Sequence, residues 1–215
     1  MTKEQVRDFV RNLIDDPNAK RWTDTLLDML IGMVYDELWS DILDAAPWYN
    51  SKLETLSVNS PGYINVASDL DNRFHKVQKL TRAEKEYTFV DQRDVVLQDS
   101  KELSAPHFTY TLLGDELYMF PLQPTPDVKL RYSFKPTTFG SLQDSDAVVF
   151  PEGHESALLY EAASRALLKG AAEDGSSLLA IARDAKARML KEIKRRYPGP
   201  HLMYLADSSY EWGGT

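Results

Sequence analysis

The sequence predicts an α+β protein: a mainly helical bundle of two N-terminal and two C-terminal helices, a β-rich insertion, and an extended C-terminal tail. Three observations lead there. Both ends of the 215-residue chain contain long stretches with apolar residues every three or four positions. The middle is made of short segments rich in Thr, Tyr, Phe and Val, cut by turn residues. The end, "YPGPHLMYLADSSYEWGGT", breaks the last helix with prolines and glycines yet keeps large apolar side chains.

The first helix starts at Thr2, which forms a capping box with Gln5, and Val6, Phe9, Val10 and Leu13 make its apolar stripe. "DDPNAKRW" breaks it. A second start signal at Thr23 opens a stretch to Ala46, with Leu27, Leu30, Ile31, Val34, Leu38 and Ile42 on one face, and Pro47 ends it. From Lys52 to Pro136, "KLETLSV", "FHKVQKL", "EYTFV", "HFTYTLL", "ELYMF" and "VKLRYSF" read as strands. Gly114-Asp115 is a two-residue hairpin signal, and "DQRDVVLQD" reads as a short helix between strands. Helical spacing returns after Pro151, which suits a first helical turn together with Glu152 and Glu155. Leu159, Ala162, Ala163, Ala166 and Leu167 form that helix's buried stripe. Gly175 is expected as a left-handed cap, and Ser176 or Ser177 as the cap of the next helix. The last helix runs to about Tyr197 on the stripe Leu178, Ala182, Ala185, Met189 and Ile193.

Neither helix pair can bury its stripe alone, so the two ends must pack together. This places residues 1–50 and 150–197 in the bundle, 51–149 in the insertion, and 198–215 in a docking tail.

A hydrophobic content of 43% is enough for a real core. There is no cysteine, which removes disulfides and thiolate chemistry and fits a reducing compartment such as the cytosol. No apolar run is long enough to span a membrane, and the charged, amphipathic N-terminus is unlike a signal peptide. The net charge is -8 and unevenly spread. Residues 151–215 hold nine acidic and nine basic residues, whereas residues 1–150 hold 24 acids against 16 bases. Such a surface repels phosphates and disfavours tight general DNA binding, though not a protein that surrounds DNA without gripping it.

Chemistry is sparse. His75, His107, His154 and His201 lie far apart in metal-motif terms. His154 beside Glu155 reads as an exposed first-turn histidine, with a metal ligand or general base as the alternative. The pairs Asp69/Asp71 and Asp144/Asp146 sit in turn-like stretches, where cap and turn duty is the default. No P-loop or GxSxG motif is present. No catalytic, cofactor-binding or metal-ligating residue is assigned, and no cofactor is expected.

Two features point to assembly. Lys186, Arg188, Lys191, Lys194, Arg195 and Arg196 crowd the end of the last helix. They read either as a solvated face with favourable helix-end charge or as a docking surface for an acidic partner, such as another copy. Tyr197, Leu202, Tyr204, Tyr210 and Trp212 give the tail large anchors, either for its own bundle or for another subunit.

The chain resembles the head-to-tail adaptor (connector) proteins of tailed bacteriophages. The likeness lies in the helix–loop–helix opening "VRDFVRNLIDDPNAKRWTDTLLDMLIGMVYDEL" and in "APWYNSKLETLSVNSPGYINVASDLDNRFHKVQKL". It continues in the hairpin stretch "YTLLGDELYMFPLQPTPDVKLRYSFKPT" and the helix "FPEGHESALLYEAASRALL", followed by a Lys/Arg-rich helix and tail. One departure is Ala67, where a turn proline would be expected. The resemblance implies a structural virion protein of the head-tail junction, assembled in the host cytoplasm. It implies a ring, usually of twelve subunits, that docks beneath the portal, meets tail or nozzle proteins, and surrounds a DNA channel without specific DNA binding. It carries over no catalytic residues and involves no membrane. The competing readings are a small-ligand or hydrolytic enzyme with a site near His107 and Asp144 in the β-rich region, and a DNA-binding module that uses the basic last helix.

Overall fold

A computed structural model describes residues 1–58, 63–70, 73–82, 85–92, 96–98, 102–104, 108–120, 125–170 and 175–197. The expected "PGPHLMYL…" tail, His107, His201 and Asp71 lie outside the described residues. The chain is an α+β fold that divides into two compact units, Met1–Tyr49 with Lys135–Thr215, and Asn50–Phe134. Residues 135–149, placed with the β-rich insertion by the sequence, therefore group with the helices. The reason is local. Phe139, in a 3-10 turn at Phe139–Ser141, is fully buried against the helical core, and Val149 receives hydrogen bonds from that core.

The helical unit is built around α2 (Asp24–Ala45), which Thr23 caps through the amide of Leu26. The six apolar positions of its expected stripe are all buried, joined by Tyr35, Trp39 and Leu43. Tyr35 Oη and Trp39 Nε1 both donate to the Val149 carbonyl, at 2.8 and 3.2 Å, so these two large side chains enter the core with their polar ends satisfied. α1 (Lys3–Leu13) begins at the Thr2/Gln5 capping box. Its buried face differs from the expected stripe. Phe9 is 47% exposed, and Val6 and Val10 share the buried face with Lys3, Arg7 and Arg11.

The C-terminal helices are α4 (Glu155–Lys169) and α5 (Gly175–Arg196), which pack along each other. α4 starts later than Pro151 and Glu152 suggest. A turn containing Gly153 at φ +78° precedes it, and His154 occupies the N-cap position. Ala157, Ala162, Ala163 and Ala166 on α4 are fully buried, as is Ala182 on α5, and such small side chains let helix backbones approach closely. Gly175 is the first residue of α5 rather than a left-handed cap. Its role is space: a Cβ there would sit 2.8 Å from Leu168 Cγ and 3.0 Å from the Leu168 backbone nitrogen. Alanine at this position would gain helix propensity but push against backbone that cannot swing away. Gly175→Ala is expected to destabilise the helical unit by about 1 kcal/mol in denaturant melts. A stability gain would show that the α4–α5 connection yields.

In the β-rich unit, β1 (Ser51–Val58), β10 (Thr125–Phe134), β3 (Phe74–Arg82) and β4 (Lys85–Glu86) form one antiparallel sheet in that order. Val128, Leu130 and Tyr132 alternate into its core, where Tyr132 Oη donates to Glu54 at 3.0 Å. A second sheet runs β2 (Tyr63–Asn65), β9 (Glu116–Phe120), β8 (Thr109–Leu113) and β5 (Thr88–Phe89). β8 and β9 form the expected hairpin, with Leu113 opposite Glu116 and Gly114 at φ +61°.

Three expectations are corrected here. "EYTFV" is two strands, because buried Tyr87 marks the point where the chain leaves β3's sheet and joins β8. "DQRDVVLQD" contains a strand, β6 (Val96–Gln98), paired with β7 (Glu102–Ser104). The position of Ala67 lies in a short helix, α3 (Val66–Asp69), where its amide donates to the Asn65 side chain at 3.0 Å. Proline has no such donor, which accounts for its absence. Asn50 and Phe134 close the unit where the chain enters and leaves. Asn50 Nδ2 donates to the Phe134 carbonyl at 2.8 Å, and the Phe134 amide donates back to Asn50 at 3.2 Å.

Candidate assembly surface

The basic end of α5 is only partly available. Lys186 pairs with Asp41 of α2, Arg188 with Asp184 at 2.7 Å, and Arg196 with Glu192. Lys191, Lys194 and Arg195 are exposed, and no ion pair to another described residue involves them. Of the six cations in the sequence cluster, Lys186 thus serves the bundle itself, and the others project from its surface. Of the tail anchors only Tyr197 is described. Its ring stands edge-on to Tyr49, with centroids 5.0 Å apart, and Tyr49 in turn lies 5.9 Å from Trp39. Leu202, Tyr204, Tyr210 and Trp212 lie outside the described residues.

On α1, three cations at i, i+4 and i+8 face inward to carboxylates contributed by α2 and distant loops. Lys3 Nζ lies 3.0 Å from Asp28. Arg7 bonds Asp28 through Nε at 2.7 Å and Asp144 through Nη2 at 2.6 Å. Arg11 reaches Asp24 at 2.6 Å and Asp16 at 3.5 Å. Main-chain bonds run alongside: the amides of Lys3 and Glu4 donate to the carbonyls of Asp146 and Asp144, and Val148 donates to Met1. The N-terminus is thereby sewn to the 139–150 segment.

The aspartates have structural work here. Asp144 is an ion-pair partner, held below the usual carboxylate range by its hydrogen bond from Arg7. Asp146 caps its own turn by accepting from the Gln143 amide at 2.7 Å, and Asp69 accepts from Asn65 at 3.0 Å. Asp16, which the sequence reading passed over, is buried in the α1–α2 loop. Burial would raise its pKa, but amides of Trp22, Arg21 and Lys20 and the charge of Arg11 hold it low. His154 is not exposed as expected. It is largely buried at the α4 N-cap, with Nε2 3.2 Å from Glu192. Among the described residues no group of three or more His, Asp or Glu could hold a metal ion, and no helix is long and apolar enough to cross a membrane.

The outer surface of α2 carries a feature that lies outside its buried stripe. Leu26, Met29 and Met33 are exposed in a row, and with Trp22 they border a groove of about 170 Å³ against Arg165 and Lys169 of α4. Arg165 is held there by Glu161 at 2.6 Å and by Glu37.

The fold therefore offers ion pairs that hold its own parts together, and charged and apolar patches left on the outside. The family described as SU10 adaptor protein matches residues 1–204. The chain belongs to this family. Comparison with curated proteins returned no match. SU10 adaptors are a phage head-to-tail adaptor family, so the chain is a structural virion component that associates with other head and tail proteins of a bacteriophage. After the internal pairs of the described residues are counted, the outer ridge of α2 and the end of α5 are left open.

Proposed function

We propose that this SU10 adaptor forms a closed ring, twelve copies in the number the resemblance implies, that docks beneath the portal and joins it to tail or nozzle proteins. The ring surrounds the channel through which DNA passes on genome ejection. The helical unit builds the ring wall, and the β-rich unit meets the tail or neighbouring copies. Residues 198–215 form the portal-docking tail, with Tyr197, Leu202, Tyr204, Tyr210 and Trp212 as anchors. Assembly takes place in the host cytoplasm, and the role has no catalytic step.

The observation that carries this reading is the family match over residues 1–204. The charge distribution supports it. α2 has six acidic residues and no basic one, whereas the exposed end of α5 is basic, as a ring of identical copies needs if each meets a different surface of the next. A net charge of -8 suits a channel through which phosphates slide, because tight cationic contacts would hold them.

Electron microscopy of the purified protein, alone and mixed with portal from the same phage, tests this. Rings stacked on portals are expected. A protein that stays monomeric in both samples and is missing from purified virions would remove the proposal.

A further inference from the structure

A ring contact needs two complementary faces on each copy. One is the outer ridge of α2. Leu26, Met29 and Met33 follow one another at spacings of three and four and are 43%, 54% and 58% exposed. Single exposed apolar residues are ordinary; three in a row beside a groove mark a contact surface. Two of the three are methionines, whose flexible side chains mould to a partner. Further along the same ridge the helix turns acidic, with Glu37 and Asp44 exposed.

The outward ridge of α5 has the same order with opposite charge. Ile181 is 46% exposed, and Asp184, Arg188, Lys191 and Arg195 follow it on the same side; Asp184 pairs with Arg188 at 2.7 Å, so the ridge beyond it is basic. The spacings also agree. Helices rise about 1.5 Å per residue, so Ile181 to Arg188 and Met29 to Glu37 differ by about one residue's rise, as do Ile181 to Arg195 and Met29 to Asp44. Laid parallel with Ile181 on Met29, the two ridges set base beside acid at both places. Laid antiparallel along their full lengths, the helices set Lys191 on Met29 instead.

We propose that the α2 ridge of one copy docks the outward face of α5 on a second copy. The inference rests on the ring reading above and names the surfaces that would make it. The contact is heterologous, so every copy offers one ridge to each neighbour and the chain of contacts closes by rotation. Pairing α2 with α2 would bring together two helices with six acids each and no base. Arg188 and Glu37 already have partners, Asp184 and Arg165, and Asp44 is engaged too, but surface pairs of this kind exchange at little cost.

The absence of cysteine makes the test direct. Met29→Cys and Ile181→Cys are prepared as separate full-length proteins, mixed, assembled with portal and mildly oxidised. Because each chain carries a single thiol, any disulfide joins two copies. A 29–181 link at least about tenfold more abundant than 29–29 or 181–181 links is expected. Met33→Asp, a substitution at an exposed position, should keep the helical circular-dichroism signal while weakening self-association at least about tenfold. Rings that form without the 29–181 link, or that form normally from Met33→Asp protein, overturn the interface and leave the ring standing. A dominant 29–29 link overturns it too, as does capture of Met29→Cys by Tyr204→Cys, which would make the C-terminal segment the occupant. If no ring forms with portal under any condition, the proposed function falls with it.

Discussion

Replacing Arg7 by alanine is expected to destabilise the helical unit by about 3 kcal/mol, the largest loss among the charged positions. Arg7 is one of the few cations whose side chain is nearly buried, 10% exposed, and it joins three parts of the fold: α1 through itself, α2 through Asp28, and the 139–150 segment through Asp144. Removing one member of a buried pair leaves the other desolvated, which typically costs about 3–5 kcal/mol. The lower end applies because Lys3 still neutralises Asp28 at 3.0 Å, and Asp144, more than half exposed, can turn to water. For a unit of this size the loss corresponds to a melting temperature lower by roughly 6–12 °C. Arg7→Met keeps the aliphatic stem and separates packing from charge: if it melts like the native protein, the stem and not the ion pair holds α1 in place. A loss under about 1 kcal/mol for Arg7→Ala would show that the network is a surface ornament.

The same network sets an acid limit. Asp144, Asp16 and Glu37 all have carboxyls held below their ordinary values, by Arg7, by loop amides against the opposing effect of burial, and by Arg165. Groups whose folded pKa is depressed contribute stability above their unfolded pKa, near 4, and lose it as pH falls through the folded value. Stability should therefore be flat from neutral pH to about 5 and decline below about 4, less steeply in Asp144→Asn than in the native chain.

The network is not legible in the sequence. Lys3, Arg7 and Arg11 stand at helical spacing beside Val6 and Val10, but a charge normally marks a solvent-facing position, so the sequence pattern points to Phe9 for the buried stripe instead. The carboxylates that make burial of those cations tolerable come from Asp28, 21 residues on, and Asp144, 137 residues on. Nothing local announces them. By contrast, the capping box at Thr2, the α2 stripe and the Gly114-Asp115 hairpin depend on residues within one or two turns of each other, and all were legible. The assembly surface falls between. The basic run on α5 could be read directly, but which of its members pair internally could not, since Lys186 meets Asp41 only after α2 and α5 pack. The Leu26, Met29 and Met33 ridge was hidden by abundance: α2 is apolar around most of its circumference, and periodicity cannot say which apolar positions the fold leaves uncovered.

Truncation after Pro198 is expected to have the largest effect on function and almost none on folding. The described residues make contacts of their own at the end of α5. Met189 and Ile193 are buried against the bundle, the Tyr197 amide bonds the Ile193 carbonyl at 2.9 Å, and the Tyr197 ring rests on Tyr49. A shortened chain keeps all of these contacts, so its melting temperature should stay within about 2 °C of the full chain, a change of under 1 kcal/mol. What it loses is sequence: Leu202, Tyr204, Tyr210 and Trp212, residue types that dominate binding energy where they are buried at an interface. Loss of two or more such anchors at roughly 2 kcal/mol each would weaken portal docking by about a thousandfold, below detection in a pull-down at micromolar protein. Returning the aromatics alone, on an otherwise glycine–serine tail, should recover much of the binding if the anchors rather than the backbone carry it. The opposite pattern, a truncated protein that melts early yet still attaches to the portal, would mean that these side chains cover their own bundle and that docking resides elsewhere on the chain.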